Sequence, residues 1–192
     1  MRWPATDRYG MDSAPGGLAF VQDLLNTLSG GKPRRADLLD DLGAARNWLD
    51  TAATEWGRST GRPTPSVELH ERDLEELRAF RDELHRLIDR PADGAPALPV
   101  LVATVRLDEA GVVHAEPAGT RWRKVASLAL IECFEAQQAD VWRRLKVCRN
   151  QRCATAFFDR SRNNSGVWHD VRVCGNAANL RAHRARKRTQ SD

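Results

Sequence analysis

The chain has 192 residues, enough for one medium domain or one domain with a small appendage, and is 41% hydrophobic and 29% charged, which supports a packed core under a well-solvated surface. Its longest apolar run, Leu98 to Val105, is strand-sized and falls well short of the roughly 18 apolar residues a membrane helix needs. The opening MRWPATDRYGMDSAPGG has no continuous hydrophobic block and is not expected to act as a secretory signal, so a cytoplasmic location and no membrane partner are expected.

In chain order, residues 1–16 are rich in Pro, Gly and polar side chains and read as a loose tail. Leu18, Val21, Leu24, Leu25 and Leu28 share one helical face, which Gly30, Gly31 and Pro33 end. A second helix is predicted from about Ala36 to Trp56, with Leu38, Leu42, Ala45, Leu49 and Trp56 in phase, followed by a Gly/Pro loop. A third carries Leu74, Leu77, Phe80, Leu84, Leu87 and Ile88, with Asp73 and Glu76 spaced as a capping box at its start, an earlier start being the alternative. The runs PVLVATVRL and VVHAE, joined by DEAG, predict a β-hairpin. A fourth helix is expected from about Thr120 to Arg144, with Trp122, Val125, Ala129, Phe134, Val141 and Leu145 in phase. Cys133 falls at an apolar position of that helix and reads as a core residue. These elements predict a mostly α domain with one hairpin over residues 17–145, its four helices and hairpin apolar enough to fold without the C-terminal segment.

That C-terminal segment is different in kind. Three of the four cysteines lie in the last quarter of the chain, and a reducing compartment disfavours structural disulfides. Cys148 and Cys153 form a Cys-x4-Cys pair, and His169 and Cys174 a His-x4-Cys pair. Thiolate sulfur and imidazole nitrogen in two close pairs are the ligands tetrahedral Zn2+ takes; four of them close its shell and make the site structural, with no open position for catalysis. The small segment has few core residues, Phe157, Phe158, Val167 and Trp168, so metal binding would supply much of its folding energy. The plainer reading of the same spacing is three unrelated buried cysteines and a surface histidine. Residues 146–188 are thus predicted to be a small zinc-stabilised hairpin-helix module.

Charge is divided along the same line. From Arg143 to Arg188 there are 13 Lys or Arg against only Asp159 and Asp170, whereas the rest of the chain has 17 basic and 24 acidic residues, for a net charge of +4 overall. An acidic body with a basic end suits a nucleic-acid-binding module. In GNAANLRAHRARKR, from Gly175 to Arg188, Ala, Leu and Arg favour helix. Arg181, Arg184, Arg186, Lys187 and Arg188 could neutralise phosphates, and Asn176, Asn179, Arg181 and Arg184 could reach base edges in a major groove. A solvated basic terminus is the simpler alternative.

The segment resembles the CGNR zinc finger, and the domain before it resembles ABATE, together forming a bacterial family named for stress-induced transcription regulation. The resemblance is carried by Cys148, Cys153, Phe158-Asp159, Ser161-Arg162-Asn163, Trp168 and Cys174-Gly175-Asn176, and by Phe20-Val21 and Leu25-Asn26-Thr27-Leu28 near the start. It implies a zinc-containing DNA-binding regulator whose N-terminal domain senses a signal or oligomerises, with room for a homodimer. The chain departs from the family pattern at His169, which stands for the third cysteine, and at Ala177 and Asn179, which stand for an arginine and a lysine. Two other functions are compatible with the residues: a zinc-stabilised protein-interaction scaffold, or a nuclease using His169, Asp170 and His183. The chain is not expected to be an enzyme, because a histidine that ligates a structural ion cannot serve as a base and no phosphate loop or nucleophile elbow is present. His70, His85 and His114 are isolated, the first two on a charged helix where exposure is expected.

Overall fold

Among its described residues, the computed structural model has five α-helices, α1 (Pro4–Asp7), α2 (Leu18–Leu25), α3 (Leu42–Thr60), α4 (Glu71–Asp89) and α5 (Arg121–Gln138), and two antiparallel hairpins, β1 (Ala103–Leu107) with β2 (Val113–Pro117) and β3 (Leu145–Val147) with β4 (Ala156–Phe158). It describes residues 3–31, 33–89, 101–150, 152–176 and 180. The class is mostly α with hairpins, as the sequence predicts. Among the described residues no helix is long and apolar enough to cross a membrane.

Helix boundaries reflect local chemistry. α3 begins at Leu42 rather than near Ala36 because the Asp41 carboxylate accepts the Ala44 N–H at 2.7 Å and caps the helix there. α4 begins one turn before the Asp73–Glu76 spacing suggested. Asp73 is its third residue and accepts the His70 N–H at 2.8 Å, while the Asp73 N–H returns to the His70 carbonyl at 2.9 Å. α5 stops at Gln138 and yields to the 3-10 turn Trp142–Arg144. Phe134, in phase with the apolar face by sequence, is 60% exposed, whereas Cys133 beside it is buried in the core.

The core gathers around α2, all eight of whose residues are buried. Phe20, Leu24 and Leu25 share one core cluster with Trp48 and Ala52 of α3, Leu77 and Leu84 of α4, and Val125 and Leu128 of α5. Burial of Gln22, Asp23 and Asn26 on such a helix would be costly without partners, and each has several. Asp23 accepts the Thr6 N–H at 2.7 Å and the Trp48 indole N–H at 2.8 Å. Gln22 accepts the Ala14 N–H and donates to the Asp12 carbonyl. These bonds overturn the expectation of a loose tail. Trp3 is 1% exposed, Ala5 and Thr6 are fully buried, and Pro4 opens α1, where its missing N–H costs nothing.

The second hairpin is part of the same core. Leu145 and Ala156 are buried with the helices, and Phe158 packs against them. The Asn26 carboxamide pairs with the backbone of Ala156, donating to its carbonyl at 2.9 Å and accepting its N–H at 2.8 Å. The Gly31 N–H reaches the Cys153 carbonyl at 2.9 Å, and a Cβ on Gly30 would collide with that same carbonyl. A boundary at 145/146 therefore runs through packed side chains. The first hairpin is the more peripheral one. Val105, Leu107 and Val113 are 64–69% exposed, and its root is tied to α5 where the Ser127 hydroxyl donates to the Val102 carbonyl at 2.7 Å.

A truncation ending at Arg144 is expected to melt well below the full chain. Asn26→Ala strands two buried backbone groups, at about 1–3 kcal/mol each, and should lower stability to urea by about 2–6 kcal/mol. Unfolding curves that overlay those of the full chain would show that the second hairpin contributes nothing to the core.

Candidate metal centre

β3 and β4 pair in the register Leu145↔Phe158, Lys146↔Phe157 and Val147↔Ala156, which sets Cys148 and Cys153 at the two ends of one tight turn. The Cys148 N–H donates to the Thr155 carbonyl at 2.9 Å, the Cys153 N–H turns back to the Asn150 carbonyl at 2.6 Å, and Ala154 takes a positive φ of 56° to complete the reversal. His169 and Cys174 come from the returning chain. Asp170 caps the wide helical turn Val171–Gly175, its carboxylate accepting the Val173 N–H at 2.9 Å and its carbonyl the Cys174 N–H at 2.8 Å. This cap aims Cys174 inward. Gly175 sits under the Trp168 ring, where a Cβ would stand 3.2 Å from the indole.

These elements bring the four residues singled out by spacing into one place. The donor atoms of Cys148, Cys153, His169 and Cys174 all lie within 4.8 Å of one another. Around a tetrahedral zinc at its usual bond lengths, ligand atoms are about 3.5–3.8 Å apart, so the set needs only slight contraction to close on an ion. Cys153 Sγ and His169 Nδ1 stand 3.3 Å apart. All three cysteines are buried, and Phe157, Trp168 and Met11 pack around them.

The electrostatics also suit a cation. The Cys148 thiol is pushed up by its bond to Cys153 and by burial, and the Cys174 thiol by burial. Cys153 moves the opposite way, pulled down by the Cys148 thiol against burial, with His169 and Thr155 adding to the pull. Three sulfurs this close compete for one negative charge, and a divalent cation relieves the competition by taking all of them as thiolates. Two neighbours that sequence spacing did not single out serve the sulfurs. The Asn150 side-chain amide donates to Cys174 Sγ at 3.2 Å, and the Thr155 hydroxyl lies 3.1 Å from Cys153 Sγ. Such outer partners orient ligands. Their only sequence signal is position, Asn150 inside the Cys-x4-Cys turn and Thr155 just after it. His85, expected to be solvated, is half-buried with its Nε2 2.7 Å from the Ala154 carbonyl, so α4 clamps the turn.

The Phe-Asp and Ser-Arg-Asn stretches acquire a structural reason. Asp159 is 4% exposed and accepts from Lys146 Nζ at 2.7 Å, the Ser161 N–H at 2.9 Å and the Gly166 N–H at 2.6 Å. It pins the 160–165 loop to the hairpin, and a Cβ on Gly166 would stand 2.8 Å from the carboxylate, so a larger residue there would displace the pinned Asp159 side chain. Of the residues expected to contact nucleic acid, Asn176 is exposed directly beyond the buried Cys174 and Gly175. Asn179, Arg181, Arg184, Arg186, Lys187 and Arg188 lie outside the described residues, as do His183 and Ala177.

Burial alone would raise the Asp159 pKa, but the Lys146 ammonium and the Ser161 and Gly166 N–H groups outweigh it and hold the carboxyl well below the usual range. A depressed pKa adds stability that is present above the unfolded value of about 3.9 and is lost as pH falls through the folded one. Asp159→Asn is therefore expected to melt lower than the parent at pH 7, with the gap closing below about pH 4. A gap that stays constant from pH 7 to pH 3 would assign the loss to packing instead of charge.

Two family models match the chain. The CGNR zinc finger matches residues 144–187, and ABATE, described as "Putative stress-induced transcription regulator", matches residues 18–145. No curated protein matches it. The ABATE match covers more than half of the sequence, and the finger match spans the segment that holds the Cys3His cluster. The chain accordingly belongs to the ABATE family and carries a CGNR zinc finger at its C-terminal end.

Proposed function

We propose that the protein is a zinc-containing transcription regulator in which one structural Zn2+, held by Cys148, Cys153, His169 and Cys174, roots a basic C-terminal helix that contacts DNA. The observation that carries the reading is the convergence of those four donors directly before the cationic segment, with Cys174 and Gly175 buried and Asn176 exposed. In this reading the helix grows from a rigid base. Arg181, Arg184, Arg186, Lys187 and Arg188 meet phosphates, Asn176, Asn179, Arg181 and Arg184 face base edges, and the N-terminal domain senses a signal or oligomerises.

Catalysis is disfavoured by how the imagined catalytic pair is used. His169 faces Cys153 within the cluster, and the Asp170 carboxylate is engaged by the Val173 N–H. A regulatory role agrees with the description of the ABATE family. Retention in the cytoplasm belongs to the same reading.

About one zinc per chain is expected in protein purified without added metal. His169→Cys should keep it and His169→Ala should lose or weaken it. Near-zero metal with three freely titrating thiols would remove the zinc assignment. On mixed-sequence duplex DNA, affinity should fall steeply with salt, with a log–log slope of about 0.9 per phosphate contact, and Arg186→Ala, Lys187→Ala and Arg188→Ala together should flatten that slope for all sequences alike. No binding at low salt would leave a protein-interaction scaffold as the better reading.

A further inference from the structure

The described part of the finger is itself strongly cationic. Arg143, Arg149, Arg152, Arg162 and Arg172 are exposed, and among the described residues none has an acidic partner. The only acids between Arg143 and Asn176 are Asp159 and Asp170. Asp159 is buried and neutralised by Lys146, and Asp170 is occupied in capping its own turn. The finger's own acids therefore leave this arginine charge uncancelled, and from the body Asp89 of α4 borders the same cavity as Arg149. Like charges gathered on one small module repel each other, a cost that a polyanion removes.

Three of these arginines are organised by one loop. The Asn164 side-chain amide donates to the Arg143 carbonyl at 3.1 Å, tying the loop to the 3-10 turn that leads into β3. The Arg149 N–H donates to the Val167 carbonyl at 3.0 Å, tying it to the end of the same strand. Arg162 lies within the loop, which Asp159 pins from beneath through Ser161 and Gly166. Arg144 and Lys146, by contrast, have internal duties. Arg144 donates to the Asp159 and Ser161 carbonyls at 3.0 and 2.8 Å, and Lys146 bonds Asp159, Asn164 and Gly166. The structure thus separates cations that build the loop from cations displayed around it.

We propose that the loop 160–166, with Arg143 and Arg149 on its flanks and Arg162 within it, is a second phosphate-contacting surface that grips the backbone of duplex DNA independently of the C-terminal helix. Guanidinium groups take phosphate oxygens in bidentate geometry. A frame already fixed by hydrogen bonds loses little freedom on binding. The exposed Ser161, Asn163 and Ser165 add neutral side chains of the kind that bond phosphate and sugar. This surface positions the finger on the duplex, while any reading of bases falls to the helix. The inference rests on the DNA-binding reading above and extends it to residues outside the helix.

The test is a salt titration of the zinc-loaded full chain on a mixed-sequence duplex, read by fluorescence anisotropy, for the parent and for Arg143→Gln, Arg149→Gln and Arg162→Gln singly and together. Each single variant should lower the log–log slope by about 0.9 and the triple variant by about 2.7, with zinc content and melting temperature unchanged. The matching triple Arg→Lys variant should recover most of the slope. A triple Gln variant that keeps the parent slope, while the Arg186/Lys187/Arg188 variant loses it, overturns the second surface and leaves the DNA reading standing. No binding by the parent at low salt overturns both, and preferential binding of duplex RNA over DNA overturns the assigned partner. If the triple variant melts early, the three single variants decide the matter by the same slopes.

Discussion

The outer edge of β4 is where the architecture is decided. Among the described residues β4 pairs only with β3, so the N–H and C=O of Ala156 point away from the sheet into a region where water does not reach. A buried peptide group must be paired, and Asn26 supplies both halves of the pairing with one carboxamide, standing in for an absent third strand. The same amide nitrogen touches the Thr6 hydroxyl at 3.2 Å, and the Thr6 N–H is held by Asp23. The N-terminal segment, the central helix and the finger hairpin therefore meet at one polar junction inside an apolar core.

That junction makes the metal-site turn a shared property of the body and the finger. The Cys153 carbonyl is taken by Gly31, the Ala154 carbonyl by His85 on α4, and the Ala156 backbone by Asn26 at the end of α2. Three residues of the body, two at and just beyond the end of α2 and one on α4, thus hold the backbone within four residues of chain around Cys153. A zinc finger of this size would ordinarily depend on its ion for almost all of its folding energy. Here the burial of Leu145, Ala156 and Phe158 against the helices supplies a second source.

Charge obeys a different logic. The helical body uses its arginines locally: Arg81 with Asp37 at 2.7 Å, Arg62 with Glu132 and Glu135, Arg78 with Asp40. In the finger the displayed arginines have no such neighbours among the described residues. On the DNA-binding reading proposed above, this contrast assigns the polyanion to the finger and not the body, and the loop pinned by Asp159 gives part of that charge a fixed position.

Much of this was open to sequence reading, because it is local. The helices arise from apolar residues repeating at helical spacing, the first hairpin from two β-rich runs around a short turn, and the metal cluster from two close pairs of donors. The Cys3His convergence matches that spacing residue for residue. What the sequence could not supply depends on partners far along the chain. Asn26 and Ala156 are 130 residues apart, and nothing near Asn26 marks it as a strand mimic. Residues 3–16 are too short for periodicity to register, yet Trp3 and Ala5 are buried because Gln22 and Asp23 offer bonds that exist only in the folded state. Phe134 is in phase and still exposed, since a helix face is buried only where another element covers it. Local pattern determines which elements form and which side chains can ligate, whereas the pairing of buried polar groups, a long-range condition, decides that the body and finger share one core.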